Sequence, residues 1–173
     1  MIIRAASLDD LPNISQLHAV SWQENYQDAL SSEYLANQVF VERAALWQGR
    51  LSAPLANQLV LVAEIEGEFC GFICVFGAHH DTYGTIIDNL HVKSAAKGQG
   101  VGSKLLTAAF NWAHQHYPQH NIYLEVLACN PKAIAFYQFK GGQNIASGYW
   151  HTPCGNQVEE YVYSWPAKRP PAS

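Results

Sequence analysis

Three glycines at alternate positions, Gly98, Gly100 and Gly102, stand between an apolar run and an amphipathic stretch in Leu90–Leu106, LHVKSAAKGQGVGSKLL. Glycine lets backbone N–H groups approach a ligand without obstruction by Cβ. A helix starting there adds unpaired donors and a partial positive charge aimed at the same point. The chemistry expected is capture of a diphosphate by the amides of residues 98 to 103. A Walker loop does not fit, because Gly102 is followed by Ser103–Lys104, the reverse of its Lys-Ser/Thr order. A dinucleotide fingerprint does not fit either, since Gly98-Gln99-Gly100-Val101-Gly102 has the wrong glycine spacing. A tight strand-to-helix turn with no ligand stays open as the plain alternative.

Titratable groups fall near this turn. Glu125 lies in the apolar run Asn121–Ala128, NIYLEVLA. Strand alternation puts Tyr123, Glu125 and Leu127 on one face and Ile122, Leu124 and Val126 on the other. Partial burial there raises a carboxylate's pKa toward the range useful for a base; satisfaction by a neighbouring strand is the alternative. Asp88 and His91 are rivals, on opposite faces if their strand is regular. Asn130 precedes Pro131, the pattern of a helix cap. His79–His80 with Asp81, and His114 with His116, lack a clustered second set, so no metal is expected. Cys70, Cys74, Cys129 and Cys154 show no CxxC spacing and read as small hydrophobes.

The elements that must position these groups follow from periodicity. Met1–Ala6 reads as a strand, and Ser7 with Asp10 as a helix start. From Leu11, the residues Ile14, Leu17 and Trp22 recur at near-helical spacing. A second helix is expected over Ser32–Gly49, capped by Ser32. Gln58–Ile65 and the following CGFICVFG read as a hairpin, and Thr85–Val92 as a further strand. Helix over Gln99–Tyr117, strand over Asn121–Ala128, helix over Asn130–Lys140 and strands near Asn144–His151 and Val158–Trp165 complete the order. That order predicts a mixed sheet with helices packed on its faces.

The glycine segment resembles motif A of the GNAT superfamily of N-acetyltransferases. Leu90-His91-Val92 supplies the strand end, and Lys97-Gly98-Gln99-Gly100-Val101-Gly102 the loop, with Lys97 in place of the usual Arg or Gln and Ser94 in place of a common proline. A second block, Tyr123-Leu-Glu-Val-Leu-Ala-Cys-Asn130-Pro-Lys-Ala133-Ile-Ala-Phe136-Tyr137, resembles the family's strand-Asn-x-x-Ala-x-x-Phe/Leu-Tyr block. Its LEV-x-x-x-N pattern is similar to that of ribosomal-protein alanine acetyltransferases. Gly141-Gly142-Gln143 departs from the family's usual Gly-Phe. The resemblance implies an α+β GNAT fold, a twisted, mixed, mostly antiparallel sheet of about seven strands with helices on both faces. It also implies acetyl-CoA as co-substrate, held by Leu90, His91, Val92, Lys97, Gly98, Gln99, Gly100, Val101, Gly102, Ser103, Asn130, Ala133 and Tyr137. In that frame Tyr137, protonated at neutral pH, donates to the departing thiolate, and Glu125 takes the proton from the amine. A backbone N–H near Leu90–Val92 polarises the thioester carbonyl.

The expected reaction is acetyl transfer to a primary amine, most naturally of a small molecule. A protein N-terminal or lysine acetyltransferase and a non-catalytic CoA-binding sensor are the competing readings. Trp22, Tyr26 and Tyr34, with Glu24, Asp28 and Glu33, are candidates to hold a cationic acceptor; Tyr149–Trp150–His151 is a loop that could reach it. The chain's 173 residues and formal charge of −4 suit one domain over residues 1–166 with a flexible tail at 167–173, and mild acidity suits a cationic substrate. No basic stripe points to nucleic acid. No apolar run approaches the roughly 20 residues of a membrane helix, and the N-terminus lacks a secretory core. Cytoplasmic residence is the expectation, and the resemblance leaves room for a homodimer.

Overall fold

The computed structural model describes residues 1–168; the remainder of the expected tail, 169–173, lies outside the described residues. Along the chain run β1 (Ile2–Ala5), α1 (Leu11–Asn25), α2 (Ser32–Asn37), α3 (Val39–Ser52), β2 (Gln58–Ile65), β3 (Glu68–His80), β4 (Gly84–Val92), α4 (Val101–His116), β5 (Ile122–Leu127), α5 (Pro131–Phe139), β6 (Gln143–His151) and β7 (Gln157–Trp165). The strands form one seven-stranded sheet in the order β1-β2-β3-β4-β5-β7-β6. Only β4 and β5 pair in parallel. This is the mixed, mostly antiparallel sheet expected.

The start of α1 is set by the chain just before it. Ser7 donates its N–H to Asp10 Oδ2 at 2.8 Å, and Asp10 returns its N–H to the Ser7 carbonyl at 3.1 Å. Arg4 grips both Asp10 oxygens at 2.8 Å, and this pairing holds the buried carboxyl below its usual range. The expected helix over Ser32–Gly49 is instead two helices, broken at Gln38, and it runs on to Ser52. Its cap is Ser31, whose Oγ accepts from the Tyr34 N–H at 3.3 Å, rather than Ser32. The break lets α2 bury Tyr34 and Leu35 while α3 redirects Val39 and Trp47, both wholly buried, into the core.

Each face of the sheet carries its own core. On one, Val101, Leu105, Ala109 and Ala113 of α4 pack on Ile73, Val75, Ile87, Ile122, Leu124 and Val126. On the other, Ile14 and Leu17 of α1 and Trp47 of α3 pack on Val62, Phe72, Cys74 and Tyr123. The alternation read along β5 therefore holds, with Ile122, Leu124 and Val126 beneath α4 and Tyr123 on the opposite side.

Two irregularities in β4 shape the middle of the molecule. Its register with β3 slips by one residue, since Cys74 faces Asn89 while Val75 faces Ile87, leaving Asp88 as a bulge. The bulge turns Asp88 to the side already occupied by His91, so the two share a face; the opposite-face expectation fails because the strand is not regular. Second, β4 and β5 pair only at Thr85–Ile122 and Ile86–Tyr123. Beyond that point the strands part, leaving a wedge in the sheet.

Candidate active site

The wedge opens onto a cleft of about 880 Å³ reaching both faces of the sheet. Lys93 donates its N–H to Cys70 of β3 at 2.8 Å. Ladder alternation then turns the N–H and C=O groups of Val92 and Leu90 the other way, into the wedge. These half-buried backbone groups call for partners, and β5, paired with β4 only at Thr85 and Ile86, does not supply them. An extended ligand carrying amides would do so.

At the mouth of the wedge α4 begins. Gly98 and Gly100 have φ of +80° and +79°, a left-handed backbone that side chains pay to adopt. Gly100 caps α4 with no side-chain acceptor involved. Lys104 is the first residue to donate back, to the Gly100 carbonyl at 3.0 Å. The N–H groups of Val101, Gly102 and Ser103 therefore lack acceptors within the helix. A Cβ on Gly102 would meet Phe136 at 3.5 Å and Val92 at 3.6 Å, so this glycine is not forced by backbone conformation or crowding. Its bare Cα keeps a passage open between α4, β4 and α5. These residues fit a diphosphate followed by an extended arm.

Of the cofactor-binding residues expected, Leu90, His91, Val92, Lys97, Gly98, Gly100, Val101, Gly102, Ser103, Asn130, Ala133 and Tyr137 line the cleft. Gln99 does not. Its side chain folds back to the Ala95 carbonyl at 3.1 Å and its N–H to Ala96 at 3.4 Å, satisfying both donors within the turn. Asn130 caps α5, accepting the Ala133 N–H at 3.2 Å on Oδ1, which leaves its Nδ2 for the cleft. Tyr137 faces the cleft on α5 with Ala133 and Phe136. Burial, and secondarily Tyr26, pushes its phenol well above 10, so it stays protonated at neutral pH.

Glu125 lies on the cleft wall with its side chain exposed rather than partly buried as expected, because the splayed strands open the sheet beside it. Desolvation by the cleft walls, and then Asp88, still raise its pKa, an effect His79 and His80 oppose. Sequence reasoning missed its neighbour. In the β5–β7 ladder Leu127 pairs with Glu160 and Glu125 with Val162, so Glu160 is diagonal to Glu125 on the same face. Burial and the Glu125 charge push Glu160 up to about 7. The sequence signal was slight, an acid in the strand Val158–Trp165. Its half-buried setting comes from β5, a strand distant in the chain.

Asp88 is bound to its surroundings, accepting from Arg50 Nη1 at 2.7 Å and from the Asn89 amide. His91 shares Nδ1 with Ser21 Oγ at 2.8 Å, and burial, with Lys97 and Arg43, pushes it down to about 4. Behind it His18 accepts the Trp47 indole N–H on Nδ1 at 2.9 Å; burial and His91 keep it neutral. Among the described residues no three His, Cys, Asp or Glu side chains gather as a metal site.

The residues expected to hold a cationic acceptor are dispersed. Glu24 pairs with Ser94 at 3.0 Å and Lys97 at 4.0 Å, and Asp28 and Glu33 are exposed away from the cleft. Tyr34 is buried and donates to Glu42 at 2.5 Å. Trp22 and Tyr26 do line the cleft, but the cation over Trp22 is the protein's own Arg43, 4.3 Å from the ring centroid. Of the loop Tyr149–Trp150–His151, Trp150 reaches the cleft, against Trp22 at 5.6 Å and Tyr26 at 6.2 Å.

The family model described as "Acetyltransferase (GNAT) family" matches residues 11–141. The uncharacterized N-acetyltransferase YuaI of Bacillus subtilis is 26% identical over 168 residues, covering 95% of this chain and 92% of its own. N-alpha-acetyltransferase 60 of Xenopus tropicalis is 28% identical over 170 residues, covering 94% of this chain and 68% of its own. A PaiA N-acetyltransferase of Thermoplasma acidophilum, solved in complex with coenzyme A, superposes with a TM-score of 0.70 at 20% identity, over 92% of this chain and 96% of its own.

Proposed function

The chain belongs to the GNAT family of acetyltransferases, and on that premise we propose that it moves an acetyl group from acetyl-CoA to the primary amine of a small molecule. The observation that carries this reading is the meeting of two features in one cleft. The free amides at the start of α4 suit a diphosphate, and the Leu90 and Val92 backbone groups in the wedge suit the amide-bearing arm behind it.

Acetyl-CoA supplies an electrophilic carbonyl and a thiolate leaving group. The chain's residues supply the proton transfers and the orientation. The Glu125–Glu160 pair takes a proton from the acceptor's ammonium, since two carboxylates on one face hold a proton near neutral pH and release it only against their mutual repulsion. The freed amine attacks while N–H groups of the splayed β4 edge polarise the carbonyl oxygen. As the C–S bond breaks, Tyr137, kept protonated by its desolvated setting, donates to the departing sulfur and is restored by the second proton that the nitrogen sheds as the amide forms. Holding both reactants in one cleft contributes much of the rate.

The similarity to an N-alpha-acetyltransferase favours a second reading, transfer to a peptide N-terminus. A thermal-shift comparison of acetyl-CoA with NAD and ATP tests the first step, since a ligand of the folded form raises its melting temperature. A thiol-release screen of amines and peptides then separates the acceptors. Stabilisation by NAD or ATP but not by acetyl-CoA would remove the proposal.

A further inference from the structure

Arg43 is the one arginine among the described residues with no hydrogen bond to the protein. Arg4 is held by Asp10 and Glu64, and Arg50 by Asp88. Arg43, its side chain 15% exposed, lines the cleft, and its Nε is buried without a partner. A carboxylate of Glu42 comes to 3.8 Å from Nη2, outside hydrogen-bond reach, and that oxygen already accepts the Tyr34 hydroxyl. Stacking over Trp22 engages the face of the guanidinium and leaves the fork of N–H donors around its edge unused. A cation buried to this degree without acceptors is costly unless a bound group completes it.

Of the charges around it, Arg50 is neutralised by Asp88, while Glu42, hydrogen-bonded by the neutral Tyr34 phenol, keeps its charge and faces Arg43 from 3.8 Å without a hydrogen bond to it. The same cleft is lined by Arg43 on α3, its hydrogen-bond donors unfilled, and by the acidic pair Glu125 and Glu160 on β5 and β7. All three lie on the α1–α3 side of the sheet. From this arrangement we infer that the acceptor is a zwitterion, a small amine that also carries a carboxylate, seated with its carboxylate on Arg43 and its amine toward Glu125 and Glu160. A guanidinium fork matches a carboxylate in shape and charge. The carboxylate also distinguishes this acceptor from a peptide N-terminus, whose neighbouring carbonyl is a neutral amide. The inference rests on the acetyl-transfer reading and narrows it.

The test is thiol release from acetyl-CoA with matched acceptors: amino acids whose amine and carboxylate are separated by one to four carbons, the amide of each, and a short peptide with the same N-terminal residue. At least one acid should exceed its amide by tenfold or more in kcat/KM, about 1.4 kcal/mol of recognition. In Arg43→Gln that acid-to-amide ratio should collapse toward one, chiefly through KM. Arg43→Lys, which keeps charge but not the fork, should restore part of it. Amides or peptides used as well as the acids, or a ratio unmoved in Arg43→Gln, would overturn the inference; so would an enzyme that turns over none of the acids. The wild-type ratio decides the matter without any variant, should Arg43→Gln fail to fold. Calorimetric binding of acetyl-CoA keeps the two readings apart. Binding without preference for acids sinks only the zwitterionic acceptor, whereas no binding sinks acetyl transfer itself.

Discussion

Replacing Gly102 with alanine should move stability and cofactor affinity in opposite directions. Gly102 is the second residue of α4 and has no left-handed backbone to defend. The added Cβ would sit 3.5 Å from Phe136 and 3.6 Å from Val92, ordinary contact distances. Alanine in a helix is favoured over glycine by about 1 kcal/mol, so the free protein should melt about 2–4 °C higher. The same methyl occupies the passage between α4, β4 and α5 and holds a diphosphate off the nearby amides. A hydrogen bond to a charged group is worth about 1.5–3 kcal/mol, so losing one should weaken CoA binding by roughly tenfold to a hundredfold. Gly98→Ala is the contrast. Its φ of +80° makes any side chain strained while its Cβ would touch nothing, so it should melt lower, at a cost of about 1–2 kcal/mol. Calorimetry with CoA and melting of the unliganded variants read both quantities. Wild-type CoA affinity in Gly102→Ala would refute the phosphate cradle; weaker binding alongside a lower melting temperature would assign the effect to misfolding instead.

Tyr137→Phe should lower kcat by about a hundredfold or more, the usual worth of a positioned acid, while CoA binding stays close to wild type; unchanged kcat would exclude Tyr137 from proton transfer. With Glu160 pushed up to about 7, kcat/KM should fall as pH drops through neutrality. Glu125→Gln removes the like charge, so Glu160 should ionise more readily and the acidic limb should move to lower pH; a limb that stays in place would dissolve the coupled pair. Asp10, held low by Arg4, contributes stability that is complete above its ordinary 3.8 and drains away as pH falls through its lowered folded value. Asp10→Asn should cost about 1–3 kcal/mol at neutral pH in urea unfolding, and a loss no smaller at pH 2 would contradict that assignment.

Local pattern made the glycine-turn half of the cleft readable. Alternate glycines between a strand and an amphipathic helix dictate exposed amides whatever surrounds them, and Asn130–Pro131 caps a helix by its own chemistry. The acceptor half depended on partners distant in the chain. Glu160 gains its character only where β7 lies against β5, and no window of sequence contains both strands. Asp88 and His91 share a face because β4 slips against β3, and a slip is invisible in an apparently regular strand. Arg43 lies inside the stretch expected as one helix, and nothing in that window set it apart. Its setting over Trp22 needed the break at Gln38 that swings α3 across α1, and propensity gave no reason to divide Ser32–Gly49. Of the acids that looked promising near Trp22, Asp28 and Glu33 were solvated, the commoner fate of charge on a helix face, and Glu24 was taken up by Ser94 and Lys97.

The parting of β4 from β5 after two residue pairs has a mechanical consequence. The sheet is two plates, β1–β4 and β5–β7, riveted at one end and left unstitched along the rest of the seam. A threaded guest that bonds to both edges would act as the missing stitching, so loading and rigidity are one event. Amide protons of Leu90 and Val92 should therefore exchange readily from the empty protein and slowly once the seam is laced, reporting occupancy from within the sheet itself.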